Sequence, residues 1–225
     1  MGLRKRPDGY RAGHAVLCLP RFLLALWLAV QAAPAAAEAF DYYTLAVTLT
    51  PAFCDQNPKL RNSLQCRERM PFSVHGLWPE KKEGRAPESC AGGALTLSPR
   101  TEKYLRSVMP DTSLRQHEWK KHGRCSGLDA ERYFALLEKE FVELKWPAQL
   151  QPGRDTIVER DVVLREFRRL NPGVPERGVM LRCEKKGRPP LLAEIRVCLT
   201  PDGRPTECIA NFRPNCPVAV KVRAR

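Results

Sequence analysis

Eight cysteines, Cys54, Cys66, Cys90, Cys125, Cys183, Cys198, Cys208 and Cys216, stand downstream of a stretch built like an export leader. Together they limit the chain to a stapled fold of an oxidising compartment. In the leader, Arg4, Lys5, Arg6 and Arg11 form a basic start and Phe22–Val30 a short apolar core. The small-residue run QAAPAAAEA that follows offers cleavage sites ending at Ala37 or Ala39. A membrane span needs about 20 apolar residues. Arg21 and the alanines after Val30 leave this segment short of that. Residues 1–39 are expected to be removed as a signal peptide, leaving 40–225 as the mature domain. Cys18 precedes the apolar core, whereas a lipid-anchored cysteine follows it, so it leaves with the leader. Zinc is the competing use for clustered cysteines, but no C-x-x-C pair occurs, which favours disulfides. Eight cysteines allow on the order of 100 pairings, and spacing does not choose among them.

The remaining chain shows no repeat, low-complexity stretch or linker and is long enough for one domain with its own core. Tyr42–Thr50 is rich in β-formers and stops at Pro51; Phe72–Trp78 alternates and stops at Pro79. Both are expected strands. Asp55–Arg69 and Pro79–Gly93 are polar and rich in turn residues, so both are expected loops. Ser98, with Pro99 behind it, is an expected N-cap for a helix to about Val108. Apolar residues recur at helical spacing over Asp129–Trp146 (Tyr133, Leu136, Leu137, Phe141, Leu144), and a further helix is expected over Val158–Leu170. Gly178–Glu184, Leu191–Thr200 and Thr206–Phe212 are expected strands split by Pro/Gly turns. Strands at both ends with helices between, and no βαβ rhythm, predict an α+β fold with a central, largely antiparallel sheet.

The chain carries a formal charge of +13, from 38 Lys and Arg against 25 Asp and Glu. A basic excess favours polyanions or anionic membranes as partners. No long basic amphipathic helix is evident and no later segment could cross a bilayer, so nucleic acid is the expected partner, without stable membrane association.

Three of the four histidines lie in two short motifs, FSVHGLWP at Phe72–Pro79 and HEWKKHGRC at His117–Cys125. Imidazole titrates near neutrality, so histidines grouped with a carboxylate and lysines suit proton transfer in both directions. The second motif reads as a helix stopped at Gly123. There His117 and Lys121 lie one turn apart, Glu118 and His122 form a second such pair, and all four share one broad face. Such a face can bind an anion and move protons beside it. His75, from a strand end, can approach from the opposite side, as in-line cleavage of a phosphodiester requires. Trp78 offers a flat surface for a base, while Trp119 reads as core packing. The zinc-protease pattern H-E-x-x-H needs histidines at i and i+4. Here the second falls at i+5, and the metal reading fails on geometry.

The two motifs, in this order in an exported Cys-rich chain, resemble the two active-site segments of the ribonuclease T2 family of secreted, metal-independent endoribonucleases. The absence of an N-x-S/T sequon and the size resemble its bacterial, secreted or periplasmic members. The resemblance implies roles: His75 as general acid, His122 as general base, Glu118 and Lys121 as stabilisers of the phosphorane, His117 as phosphate ligand and Trp78 as support for the base. It further implies a 2′,3′-cyclic phosphate intermediate, no cofactor and no metal, and a monomer acting on RNA. The implied disulfides are Cys90–Cys125, Cys183–Cys216, Cys198–Cys208 and Cys54–Cys66. Arg124 stands where many members carry a small residue, and it is expected to point into solvent. The alternative from a different class is a catalytically silent, basic RNA-binding or cytotoxic interaction protein on the same scaffold.

Overall fold

The computed structural model describes residues 39–209 and 213–224. The expected signal peptide lies, up to residue 38, outside the described residues, as does the 210–212 end of the last expected strand. The elements run β1 (Tyr42–Leu49), α1 (Thr50–Gln56), α2 (Leu64–Arg67), β2 (Phe72–Glu80), α3 (Pro99–Val108), α4 (Thr112–Lys121) and α5 (Ala130–Glu143). After these come β3 (Thr156–Glu159), α6 (Arg160–Leu170), β4 (Val179–Gly187), β5 (Pro190–Leu199) and β6 (Ala219–Val222). They form a 6-stranded sheet in the order β2-β1-β5-β6-β3, with β4 also on β5. Every pairing is antiparallel except β5 with β6, which meet in parallel at Leu191 and Lys221. The fold is α+β.

Side chains alternate across a strand, and here the two faces divide by polarity. Leu45, Val47 and Leu49 of β1 join Val74 and Leu77 of β2 and Ile195 and Val197 of β5 in one core. Leu105 and Val108 of α3, Tyr133, Phe134 and Leu137 of α5, and Val163 and Phe167 of α6 complete it. Each such side chain contributes about 1.5–3 kcal/mol on full burial, so this face supplies most of the stability. The other face holds a small second cluster of Tyr42, Met180, Cys198 and Cys208 and leaves the rest for polar chemistry. It carries Thr44, Ala46 and Thr48 of β1 beside Glu194 and Arg196 of β5.

Four disulfides close the framework: Cys54–Cys66 between α1 and α2, Cys90–Cys125, Cys183–Cys216 from β4 to the segment before β6, and Cys198–Cys208 after β5. These are the pairs the family resemblance implies.

Several boundaries differ from the sequence reading. Thr50 opens α1 instead of ending the strand, with Pro51 in the first turn, where its missing N–H costs nothing. The expected loop Asp55–Arg69 holds a 3-10 turn at Pro58–Leu60 and the short α2. Strand β2 runs through Pro79 to Glu80, which an edge strand tolerates because the missing donor can face away from the ladder. The long helix α5 stops at Glu143, and Trp146 instead stacks on Phe72 with ring centroids 4.5 Å apart. The helix expected from Val158 starts at Arg160, because Thr156–Glu159 pairs with β6 as the short strand β3. Residues 206–209 form no strand. They are tethered by the Cys198–Cys208 bridge and by bonds from Thr206 N–H to Cys198 O (2.8 Å) and from Cys208 N–H to Arg177 O (2.9 Å).

Candidate active site

Strand β2 delivers the first motif. Gly76 pairs with Ala46 and Val74 with Val47, so His75 falls in an irregularity of the ladder with no register partner. A bulge of this kind re-aims its side chain. Val74 and Leu77 stay in the core, while His75 and Trp78 reach an open cleft. His75 Nδ1 meets Glu194 Oε1 at 2.8 Å, across the whole width of β1. This reach is open because β1 presents only Ala46 and Thr48 between them. The second oxygen of Glu194 accepts from Arg196 Nε at 2.6 Å, and the Arg196 guanidinium lies 4.8 Å from the centre of the Trp78 ring.

Helix α4 delivers the second motif. Asp111 caps it, accepting from the N–H groups of Ser113 (2.8 Å) and Leu114 (3.1 Å), a contribution of about 1 kcal/mol. The helix ends at Lys121, and His122 is its C-cap with φ −122°. His122 therefore does not continue the helical face that the spacing predicts. The chain turns there because Gly123 packs under the Trp119 ring, where an added Cβ would lie 2.4 Å from the nearest ring carbon. His122 N–H still donates to Glu118 O at 2.8 Å, which keeps the two residues together. Trp119 is buried as expected, and its Nε1–H donates to Gly93 O at 3.2 Å. Arg124 departs from its solvent reading: half-buried, it donates from Nε to the same carbonyl at 3.0 Å. With Ser89 N–H on Lys121 O (2.7 Å) and the Cys90–Cys125 bridge, the expected loop Pro79–Gly93 is stitched onto the end of α4 and becomes a cavity wall. Tyr133 of α5 braces the first motif by donating to Leu77 O at 2.6 Å.

A cavity of about 560 Å³ is lined by all six proposed site residues, His75, Trp78, His117, Glu118, Lys121 and His122. Glu118 is buried. Its Oε2 accepts from Trp78 Nε1 at 2.7 Å, and its Oε1 lies 3.9 Å from His75 Nε2. Gly76 makes this approach possible, since a Cβ there would stand 2.2 Å from Glu118 Oε2 and 2.3 Å from Trp78 Nε1. The indole is thus a clamp on Glu118 with Arg196 over its ring, leaving less of it free for a base than the sequence reading assumes. A second cavity of about 330 Å³ opens beside His75 and His117, walled by Thr48, Phe53, Leu60 and Gln65. Among the described residues, no three His, Cys, Asp or Glu side chains group as ligands for one metal ion.

The sequence reading missed Glu194 and, on the same cavity, Arg182, Arg196 and Arg213. A signal existed: Glu194 and Arg196 interrupt the apolar run LLAEIRVCL at i and i+2, one face of a strand.

The two flanking histidines are displaced in opposite directions. Burial pulls the His75 pKa down, but the hydrogen bond to Glu194 and the charges of Glu194 and Glu118 outweigh it, and the net shift is upward. His122 is pushed down to about 3 by burial and by the neighbouring Lys121, His117 and His75. Burial raises the Glu118 carboxyl, against the Trp78 hydrogen bond and nearby cations. Glu194 is lowered because His75 and Arg196 outweigh its burial. A cleft with one imidazole protonated and one neutral at the same pH holds an acid and a base together. In Glu194→Gln the amide oxygen can still accept from Nδ1–H, but the charge is gone. The basic limb of the pH–rate profile is expected to move down by about one pH unit, and an unmoved limb would show that Glu194 does not tune His75.

The comparisons agree with this geometry. Residues 40–208 match the model of the Ribonuclease T2 family. A ribonuclease of Aeromonas hydrophila is 31% identical over 201 residues, covering 84% of this chain and 85% of that protein. A probable ribonuclease of Haemophilus influenzae is 37% identical over 122 residues, 48% of this chain and 45% of the other. Among solved structures, Japanese pear S3-RNase superposes with a TM-score of 0.65 at 22% identity, over 81% of this chain and all 100% of that one. Ribonuclease MC1 from bitter gourd seeds gives 0.63 at 21% identity, over 80% and 99%. At such identities the structural likeness speaks to the fold, and the family match and bacterial relative to the activity. The chain belongs to the ribonuclease T2 family and is an RNA endonuclease of that type.

Proposed function

We propose that this protein is an exported, metal-independent endoribonuclease that cleaves single-stranded RNA through a 2′,3′-cyclic phosphate. The observation that carries the proposal is the opposed displacement of His75 and His122 around one cavity. Neutral His122 takes the proton of the ribose 2′-OH as that oxygen attacks the adjacent phosphorus. Protonated His75, its Nδ1 held by Glu194, gives a proton from Nε2 to the departing 5′ oxygen. Lys121 supplies positive charge, and His117 a hydrogen bond, to the non-bridging oxygens as the phosphorus becomes five-coordinate. Glu118, clamped by Trp78 and close to His75, stands beside Lys121 to stabilise the phosphorane. Water then opens the cyclic phosphate to a 3′-phosphate, with His75 now the base and His122 the acid. The cavity walled by Phe53 and Leu60 gives a base an apolar surface beside His75 and His117. DNA lacks the 2′-OH and is bound without being cut.

Release to a secreted or periplasmic location fits the four disulfides. Among the described residues no helix is long and apolar enough to cross a membrane.

Digestion of a defined RNA in EDTA, with mapping of product ends, tests the proposal. Cyclic phosphates appearing before 3′-phosphates, at an undiminished rate, are expected. Binding without cleavage would establish the silent RNA-binding protein, and loss of activity in EDTA would establish a metal-dependent hydrolase. The free enzyme is expected to work from above about 3, where His122 loses its proton, to a basic limb above 6.5, where His75 does.

A further inference from the structure

The cleft carries arginines beyond the two histidine motifs, alongside the carboxylates Glu80, Glu88 and Glu118. Arg182, Arg196 and Arg213 line the same cavity as the histidines, and the proposed chemistry uses none of them. Arg182 pairs with Glu194 across β4 and β5, and Arg196 pairs with Met180, so the two guanidiniums rise from neighbouring strands on one sheet face, two residues out of step.

Both are held in place. Arg196 is fixed by Glu194 and lies against Trp78, and Arg182 donates from Nη1 to the backbone carbonyl of Arg213. Like charges on neighbouring strands repel, and Glu194, the carboxylate that Arg182 faces across the ladder, is shared, since its oxygens already serve His75 and Arg196. Burial, and then the Arg196 charge, hold the Arg182 guanidinium below the usual arginine range. A cation cluster set in advance around a cavity of about 560 Å³ is stabilised by an incoming anion.

We propose that Arg182, Arg196 and Arg213 form a second phosphate site, which takes a phosphodiester flanking the one that is cut. The inference rests on the ribonuclease reading above and deepens it: the preferred substrate is an oligoribonucleotide carrying at least two phosphates. The apolar cavity on the other side of His75 leaves the arginine side of the cleft for the continuing chain. Arg196 bridges the two sites, because Glu194 holds both it and His75.

The test compares a dinucleoside monophosphate with the same dinucleotide bearing an extra phosphate at its 5′ or its 3′ end. Wild-type protein should cleave one of the phosphorylated forms with a kcat/KM roughly tenfold higher. In Arg182→Ala and in Arg213→Ala that advantage should fall to about one- to threefold, and the salt slope on longer RNA should drop by about 0.7. Arg213 is exposed, so its variant is not expected to disturb folding. An advantage absent from wild type, or equal in wild type and both variants, overturns the second site. Failure to cleave any of the three substrates overturns the ribonuclease reading itself, so the two failures are separable.

Discussion

Replacing His122 with alanine is expected to lower kcat by about 10²- to 10⁴-fold while leaving KM for RNA nearly unchanged, and His75→Ala should lower kcat as far but raise KM as well. The difference follows from charge. His122 is held neutral by burial and surrounding cations, so its loss removes a proton acceptor without removing attraction for the phosphate. His75 is held protonated by Glu194 and Glu118, so its loss takes away both the acid and a cation. The double variant should be little worse than the poorer single one, because the residues act in a single step. Single-turnover rates and binding to a 2′-deoxy substrate separate the two effects. Full activity in either variant would sink the assignment of roles.

Gly76→Ala is expected to cost about 10²-fold in kcat although it adds a single methyl group far smaller than any functional side chain. The new Cβ would need the space held by Glu118 Oε2 and Trp78 Nε1, at 2.2 and 2.3 Å. Either the carboxylate or the indole must move, and both line the cavity. The core residues flanking position 76 pack on the other face, so the variant should keep nearly native thermal unfolding. Its kinetics should resemble those of Glu118→Ala, and the Gly76→Ala/Glu118→Ala pair should be markedly non-additive. Strict additivity would place the effect elsewhere.

Much of this was legible in the sequence. The α+β class and the chief strands and helices follow from periodicity and local signals, and the convergence of both histidine motifs on one cleft is what the family resemblance implies. What escaped was whatever depends on tertiary partners. Strands β3 and β6 each span four residues, TIVE and AVKV, and are strands because β3 pairs with β6 and β6 in turn meets β5. His122 left the helix because Trp119 and Tyr133 crowd Gly123, a contact that spacing along α4 cannot reveal. Glu194 was missed because its meaning comes from a histidine 119 residues earlier in the chain.

That long-range pairing passes over the smallest side chain on its path. Ala46 sits between Gly76 and Arg196, and its neighbour Thr48 pairs with Glu194. Alanine at this position transfers no proton and binds no phosphate. In the proposed mechanism β1 contributes clearance. A bulkier residue at 46 would stand in the corridor between the acid and its carboxylate, even with the sheet intact and every reactive group present. Such a change would read as conservative by every measure of hydrophobicity while detuning His75, so a catalogue of residues that touch substrate would leave out one that the reaction depends on.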